Sequence, residues 1–459
     1  MNGTIEIPVW FAALAGLFAM VTLLDRLLLP SVRWYFRKRF NRAVERLNTK
    51  LQLKIQPFKL TRRNLLIDRL SHDPVIMEAI AKESAESGTP AEVLAEKAEK
   101  YAREIVPHFS AFAYFGFAAR VARWLSQSLY RVRVGMLDEA GMAKVTPDST
   151  VVFVMNHRSN MDYVLVTYLA SERSALSYAV GEWARVWPLQ GFIRSMGAYF
   201  IRRKSRNPLY RCVLARYVQM ATEGGVAQAI FPEGGLTRDG HLGGAKLGLL
   251  SYIVKGFNPE SVRDVVFVPV GLNYDRVLED RVLLAARETK GKPKFDSGPV
   301  AVLRFIRHQM WLRLTGKYHR FGYACVSFGS PVSLKDYLAS YDGNGTLEEQ
   351  ITTLGESLMA DIGKIVPVLP VSLISSIMLE AGSLSKIGVK GAAHRRLQDY
   401  AAHGAYSHIP REDEDYAVDV GIRMLEMRHI LVEKNGVYSV NEENREVLEY
   451  YANAIAHLA

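Results

Sequence analysis

The sequence predicts an α/β protein: a mixed sheet flanked by helices, set between a membrane-anchoring and helical N-terminal region and a helical C-terminal region. Three observations lead there. From about Arg131 onward, β-branched runs such as STVVFVMN (Ser149–Asn156) and DVVFVPVGLNYD (Asp264–Asp275) alternate with helix-like stretches, the order that builds a sheet covered by helices. Phe40–Gln127 carries few strand signals, and Pro367–Ala459 reads as mostly helical. The boundaries expected from these changes are an anchor over 1–30, a basic helical region over 31–130, a central α/β domain over 131–335 and a helical region over 336–459.

Val9–Leu29 reads VWFAALAGLFAMVTLLDRLLL, apolar except for Thr22, Asp25 and Arg26. At about 1.5 Å per residue such a helix spans roughly 30 Å, a bilayer core. An interfacial hairpin helix is the alternative. The basic cluster follows the apolar run instead of preceding it, unlike a secretory signal, so the remainder is expected on the cytoplasmic side. Ser31–Arg63 contains eleven Lys or Arg against the single acid Glu45, a balance of +10 within a chain whose net charge is +11. Anionic lipid headgroups suit that arm, each basic side chain contributing about 1 kcal/mol near the surface. Nucleic acid does not, because no zinc pattern or RNA-binding motif accompanies it. The two cysteines, Cys212 and Cys325, sit in no C-x-x-C or metal-ligand spacing, which argues against a disulfide scaffold or a zinc site and fits a reducing cytoplasm.

Within the N-terminal region, Thr89-Pro90 before AEVLAEKAEKYAREI predicts a capped helix with proline at its first position. In the central domain, helices are expected over Ser159–Ala170 and Pro208–Glu223, and strands at Gly197–Arg203 and in VAQAIFPEGG. Glu348–Ile365 reads as a helix.

Four stretches carry candidate chemistry. His157 directly follows a buried-type strand, and Asp162 lies five positions on. An imidazole with an ordinary pKa of about 6.5 suits a general base, and the carboxylate can fix its tautomer. Ser159-x-x-Asp162 equally fits a helix capping box. Arg202, Arg203 and Lys204 end an apolar strand, an arrangement that suits a phosphate or a merely solvated strand end. Phe231-Pro232-Glu233-Gly234-Gly235 is a tight turn open to close approach by a ligand, with Arg238 just beyond. Pro269 in VPVG suggests a strand end or edge.

In this order and spacing the four stretches resemble the glycerolipid acyltransferases, whose blocks read N-H-x-x-x-x-D, a glycine-rich strand ending in arginine, F-P-E-G and a V-P motif. HRSNMDYVL, GAYFIRR, EGGLTRDG and VPVGLNYD are most similar to the glycerol-3-phosphate and dihydroxyacetone-phosphate branch. The 1-acylglycerol-3-phosphate branch usually reads differently in the second and third blocks. Leu236 stands where arginine often follows the double glycine, and Asn160 where histidine is common.

The resemblance implies acyl transfer from a thioester, acyl-CoA or acyl carrier protein, to the sn-1 hydroxyl of glycerol 3-phosphate, without metal or other cofactor. It implies His157 as base and Asp162 as its orienter. Arg158, Arg202, Arg203, Glu233, Gly234, Arg238 and Lys246 are the substrate-binding candidates. Trp183, Trp187, Phe192 and Ile193 are candidates for an apolar acyl channel or for a plain core cluster.

Overall fold

The computed structural model describes residues 55–170, 175–181, 189–202, 205–288, 307, 311, 314, 315, 320–341 and 345–458. The proposed anchor over 1–30, most of the basic arm, Trp183 and Trp187 lie outside these residues. Among the described residues, no helix is long and apolar enough to cross a membrane.

The centre is a mixed sheet built from β1 (Arg131–Leu137), β2 (Thr150–Met155), β3 (Ser177–Val180), β4 (Tyr199–Phe200), β5 (Gln228–Ile230), β6 (Val265–Tyr274), β7 (Tyr323–Phe328) and β8 (Val332–Ser333). Its strand order is β1-β7-β6-β2-β5-β3-β4, with β8 also on β6. The five strands β6, β2, β5, β3 and β4 run parallel, while β7 and β8 run antiparallel to β6. β2 and β6 are buried at every position, as expected of parallel strands covered on both faces. The loops after β2, β4 and β5 therefore share one edge of the sheet, where α/β proteins assemble their sites.

Helices Pro74–Ser87 and Ala91–Ile105 join helix Pro208–Glu223 and the sheet in one core that includes Ile76, Leu94, Val213, Val154 and Phe267, with Leu354 of helix Leu347–Ile365. The helix expected after Thr89-Pro90 begins at Ala91 with Pro90 at its N-cap. Thr89 instead turns back on the preceding helix, its carbonyl accepting from Ser84 Oγ at 2.7 Å.

Pro269 lies in the middle of β6, paired with Val154, and not at a strand end. The reason is a change of partner: β8 faces Val266 and Phe267, β7 faces Val270 onward, and Pro269 stands in the gap between them. Only its carbonyl is used on that side, accepting from Gly329 N at 2.9 Å, so the missing N–H leaves no ladder bond unmade.

The C-terminal region is mostly helical, but it contains a three-stranded sheet, β10 (Leu431–Lys434)–β11 (Val437–Val440)–β9 (Ser383–Ser385). Asn435 and Gly436 turn the β10–β11 hairpin with φ of 54° and 81°, the left-handed pair that a two-residue hairpin requires. Asp275 ties this region to the central sheet. Its carboxylate accepts from Tyr323 N at 2.7 Å at the start of β7 and from Val371 N at 3.0 Å in helix Pro370–Ala381.

Burial pushes the Asp275 carboxyl up to about 7, against the two backbone donors and the Arg131 charge. The folded value exceeds the unfolded value of about 3.9, so the folded chain holds the extra proton between the two. This group's stabilisation is therefore complete below about pH 4 and declines as pH rises to about 7. Relative to Asp275→Asn, the wild type should lose roughly 2–3 kcal/mol between pH 5 and 7.5 in urea denaturation. A difference that stays constant with pH would remove Asp275 as the titrating group.

Candidate active site

β2 ends in Asn156, whose side chain behaves as one more peptide unit. Nδ2 donates to the Leu272 carbonyl at 2.9 Å, and Oδ1 accepts from Leu272 N at 2.8 Å. That pair pins the end of β2 to β6 and sets the next residue, His157, at the parallel edge. The chain then doubles back, and helix Met161–Ala170 brings Asp162 beneath the imidazole.

His157 Nδ1 meets Asp162 Oδ2 at 2.9 Å, and the two residues are 2% and 0% exposed. The same oxygen accepts from Arg158 N at 2.8 Å and Ser159 N at 3.0 Å, while Oδ1 accepts from the Tyr274 hydroxyl at 2.7 Å. The carboxylate thus serves the dyad and half of the expected capping box, since Ser159 Oγ accepts from Met161 N at 3.1 Å and not from Asp162 N. Burial, followed by the Asp162 charge, holds the Tyr274 phenol well above its usual range, so it remains a donor. A carboxylate surrounded by fixed donors is an acceptor, which places the proton on His157 Nδ1. Nε2 has no hydrogen-bond partner among the described residues and is the basic nitrogen.

The Phe-Pro-Glu-Gly-Gly turn follows β5, the neighbour of β2. Glu233 does not reach outward from it. Oε1 accepts from His157 N at 2.7 Å and Oε2 from Gly243 N at 3.1 Å. Burial raises the Glu233 carboxyl, opposed by those two N–H groups and by the charges of His157 and Arg158. The residue braces the histidine loop and is not placed to contact substrate. Thr237 N adds a bond to the His157 carbonyl at 3.1 Å. Gly234 adopts φ +65°, and a Cβ there would lie 2.8 Å from Lys246 Cδ. Lys246 Nζ donates to the Glu233 carbonyl at 2.8 Å, keeping its charge over the turn.

The expected arginines divide. Arg238 stands at the same turn with a long 3.4 Å contact to the Ala286 carbonyl. Arg202 is committed elsewhere: Nε and Nη2 grip Glu104 at 2.8 and 2.5 Å, and the guanidinium rests against both the Tyr101 and Tyr210 rings, 5.3 and 5.4 Å from their centroids. A bidentate pair of this kind neutralises the charge that a phosphate would need. Arg158 is 2% exposed, donates to the Gly240 carbonyl at 2.7 Å and covers the Tyr450 ring. It holds the loop from within, and among the described residues its Nε and Nη2 have no hydrogen-bond partner. Arg203 and Lys204 lie outside the described residues.

Sequence reasoning missed Tyr274 and Glu279. Glu279 accepts from Ser159 Oγ at 2.9 Å and Asn160 N at 2.6 Å, fixing the turn between histidine and aspartate. Tyr274 was visible only as part of the NYD ending of β6.

Phe231 lies 4.1 Å from the imidazole centroid, and Tyr163 stands edge-on to it at 5.4 Å. Beyond Tyr163 is an apolar cavity of about 220 Å³ whose lining includes Asn160, Val121, Leu125, Phe192, Ile193 and Met196. Phe192 and Ile193 thus line an apolar space beside the histidine loop.

Residues 137–273 match the family described as Acyltransferase, and residues 286–459 match Glycerol-3-phosphate acyltransferase C-terminal region. Similar proteins include glycerol-3-phosphate acyltransferases from Pseudomonas entomophila, 26% identical over 426 residues, and Aeromonas hydrophila, 29% over 422 residues; each alignment covers 87% of this chain. The chain spans about half the length of the curated relatives it matches, 49% and 50% for these two. Among solved structures, the 1-acyl-sn-glycerophosphate acyltransferase of Thermotoga maritima aligns at 16% identity with a TM-score of 0.32, covering 65% of this chain and 97% of that one. The buried His157–Asp162 pair and the brace from the Phe-Pro-Glu-Gly turn lie within the acyltransferase match, and across both matched regions the chain is similar to glycerol-3-phosphate acyltransferases.

Proposed function

We propose that this protein transfers a fatty acyl group from a thioester to the sn-1 hydroxyl of glycerol 3-phosphate. The observation that carries this reading is the buried imidazole whose Nδ1 is locked by Asp162 and whose Nε2 is unpaired among the described residues. Nε2 takes the hydroxyl proton as the oxygen attacks the thioester carbonyl. It then returns the proton to the departing sulfur, whose thiol pKa of about 8.5 makes it a competent leaving group. The site residues supply the base and its orientation, so the reading invokes no cofactor beyond the thioester itself. Acyl-CoA and acyl carrier protein both present that group.

Arg238 and Lys246 are the cations beside the turn that would hold the phosphate, with Arg203 as a further candidate. The apolar cavity bounded by Phe192 and Ile193 is the natural place for the first part of the acyl chain. A membrane location, through Val9–Leu29 and the basic arm, fits a reaction whose product partitions into lipid, with the catalytic region on the cytoplasmic face.

Labelled glycerol 3-phosphate supplied with each thioester, followed by product separation, tests the reading. A monoacyl phosphate product supports it; exclusive use of 1-acylglycerol 3-phosphate or dihydroxyacetone phosphate would redirect it. Arg238→Ala should raise the KM for glycerol 3-phosphate about tenfold or more, as expected for loss of a charge-assisted contact. An unchanged KM would remove Arg238 from phosphate binding.

A further inference from the structure

A second cavity lies away from His157. It is a cleft of about 840 Å³ lined by Trp124, Gln127 and Ser128 of helix Ala119–Leu129, by Arg131, Arg320 and Gly322 at the start of β1 and β7, and by Tyr416, Val420, Arg423, Met424 and Met427 from the C-terminal region. Its volume falls in the range of small-molecule sites, roughly 300–1,000 Å³.

Its lining carries three arginines and no acidic residue. Helix Glu414–Glu426 turns Glu414, Asp415 and Asp419 toward helix Lys386–Ala402, where they pair with His394, Lys390 and Lys386. Tyr416, Val420, Arg423 and Met424 follow helical spacing on the face toward the cleft. Arg131, Arg320 and Arg423 line the cleft with no carboxylate in an ion pair with any of them among the described residues. Arg131 is oriented by the Tyr323 hydroxyl at 3.4 Å. Trp124, 59% exposed, offers a bare indole face. Guanidinium groups bind phosphates in planar pairs, and exposed aromatic faces stack bases.

We propose that this cleft binds a nucleotide, with the base stacked on Trp124 and a diphosphate held by Arg131, Arg320 and Arg423. The helix that contributes Trp124 also lines the apolar cavity along an adjoining face, through Val121, Ala122 and Leu125, with Ala118 just before its start. An apolar space and a cationic aromatic cleft therefore share one wall. β7 begins beside the end of β6, so the cleft opens at the sheet edge that carries His157. This arrangement fits the nucleotide half of a coenzyme A thioester; a free nucleoside diphosphate has the same recognisable chemistry. The first source rests on the proposed acyl transfer, whereas nucleotide binding itself does not.

Calorimetry on the full chain in detergent, titrated with ADP, coenzyme A and pyrophosphate, tests this independently of turnover. ADP and coenzyme A should bind with one-to-one stoichiometry and exclude one another. Arg423→Ala and Arg320→Ala should each weaken both about tenfold, and Trp124→Ala should weaken ADP and coenzyme A by a similar factor while sparing pyrophosphate. All three side chains are exposed, and melting curves matching the wild type would show that the fold is retained. A raised KM for acyl-CoA in Arg423→Ala, with kcat unchanged, identifies the thioester donor as the source. An unchanged KM with weakened ADP identifies a free nucleotide. Absence of ADP and coenzyme A binding at millimolar concentration, or wild-type affinities in both Arg423→Ala and Trp124→Ala, overturns the proposal.

Discussion

His157→Ala should lower kcat for acyl transfer by about 10²–10⁴-fold, the usual contribution of a positioned base. KM for glycerol 3-phosphate should change little, because the imidazole acts on the hydroxyl and not on the phosphate. Asp162→Asn should cost as much activity and more stability. The native carboxylate accepts from His157, Arg158 N, Ser159 N and Tyr274, and an amide must turn its NH₂ toward one of those donors. A buried clash of that kind is worth roughly 1–3 kcal/mol. Steady-state kinetics with urea denaturation on both variants separates the two roles. If His157→Ala keeps more than a tenth of wild-type turnover, the general-base assignment is wrong.

The second large effect is expected at Gly240. Its φ is +91°, and a Cβ built there would lie 1.9 Å from the Tyr450 carbonyl oxygen. Neither side yields easily. Gly240 donates to Thr237 Oγ1 at 3.1 Å and accepts from Arg158 at 2.7 Å, and Tyr450 is fully buried within helix Arg445–Ala452. Gly240→Ala adds a backbone clash to left-handed strain, so a loss exceeding about 4 kcal/mol is expected, among the largest single-residue effects. Gly244→Ala, four residues on and with open space around it, should be neutral within about 0.5 kcal/mol. Equal melting temperatures for the two variants would contradict this account.

What the sequence revealed was local. His157 and Asp162 sit five residues apart, so their meeting needs only a tight turn, and the mixed sheet followed from alternation of strands and helices. What it concealed was distant pairing. The strand read over Gly197–Arg203 is only Tyr199–Phe200, so Arg202 lies beyond its end, and its charge is matched by Glu104, ninety-eight positions earlier. Glu233 looks outward in a glycine turn until the sheet order sets β5 beside β2 and hands its oxygens to His157 N and Gly243 N. Tyr274 lies 112 residues from the carboxylate it supports. Asn435-Gly436 is a hairpin signal inside the segment read as mostly helical, and the short strands on either side of it went unread.

Tyr274 and Asp275 are consecutive, yet they serve opposite masters. One hydroxyl steadies the carboxylate under the imidazole, and the next side chain fastens helix Pro370–Ala381. Tyr274 is the last residue of β6 and Asp275 the first beyond it, so one peptide unit joins the support of the Asp162 carboxylate to the anchorage of the C-terminal region. Displacing the C-terminal helices would therefore pull on the residue next to the one that holds the Asp162 carboxylate.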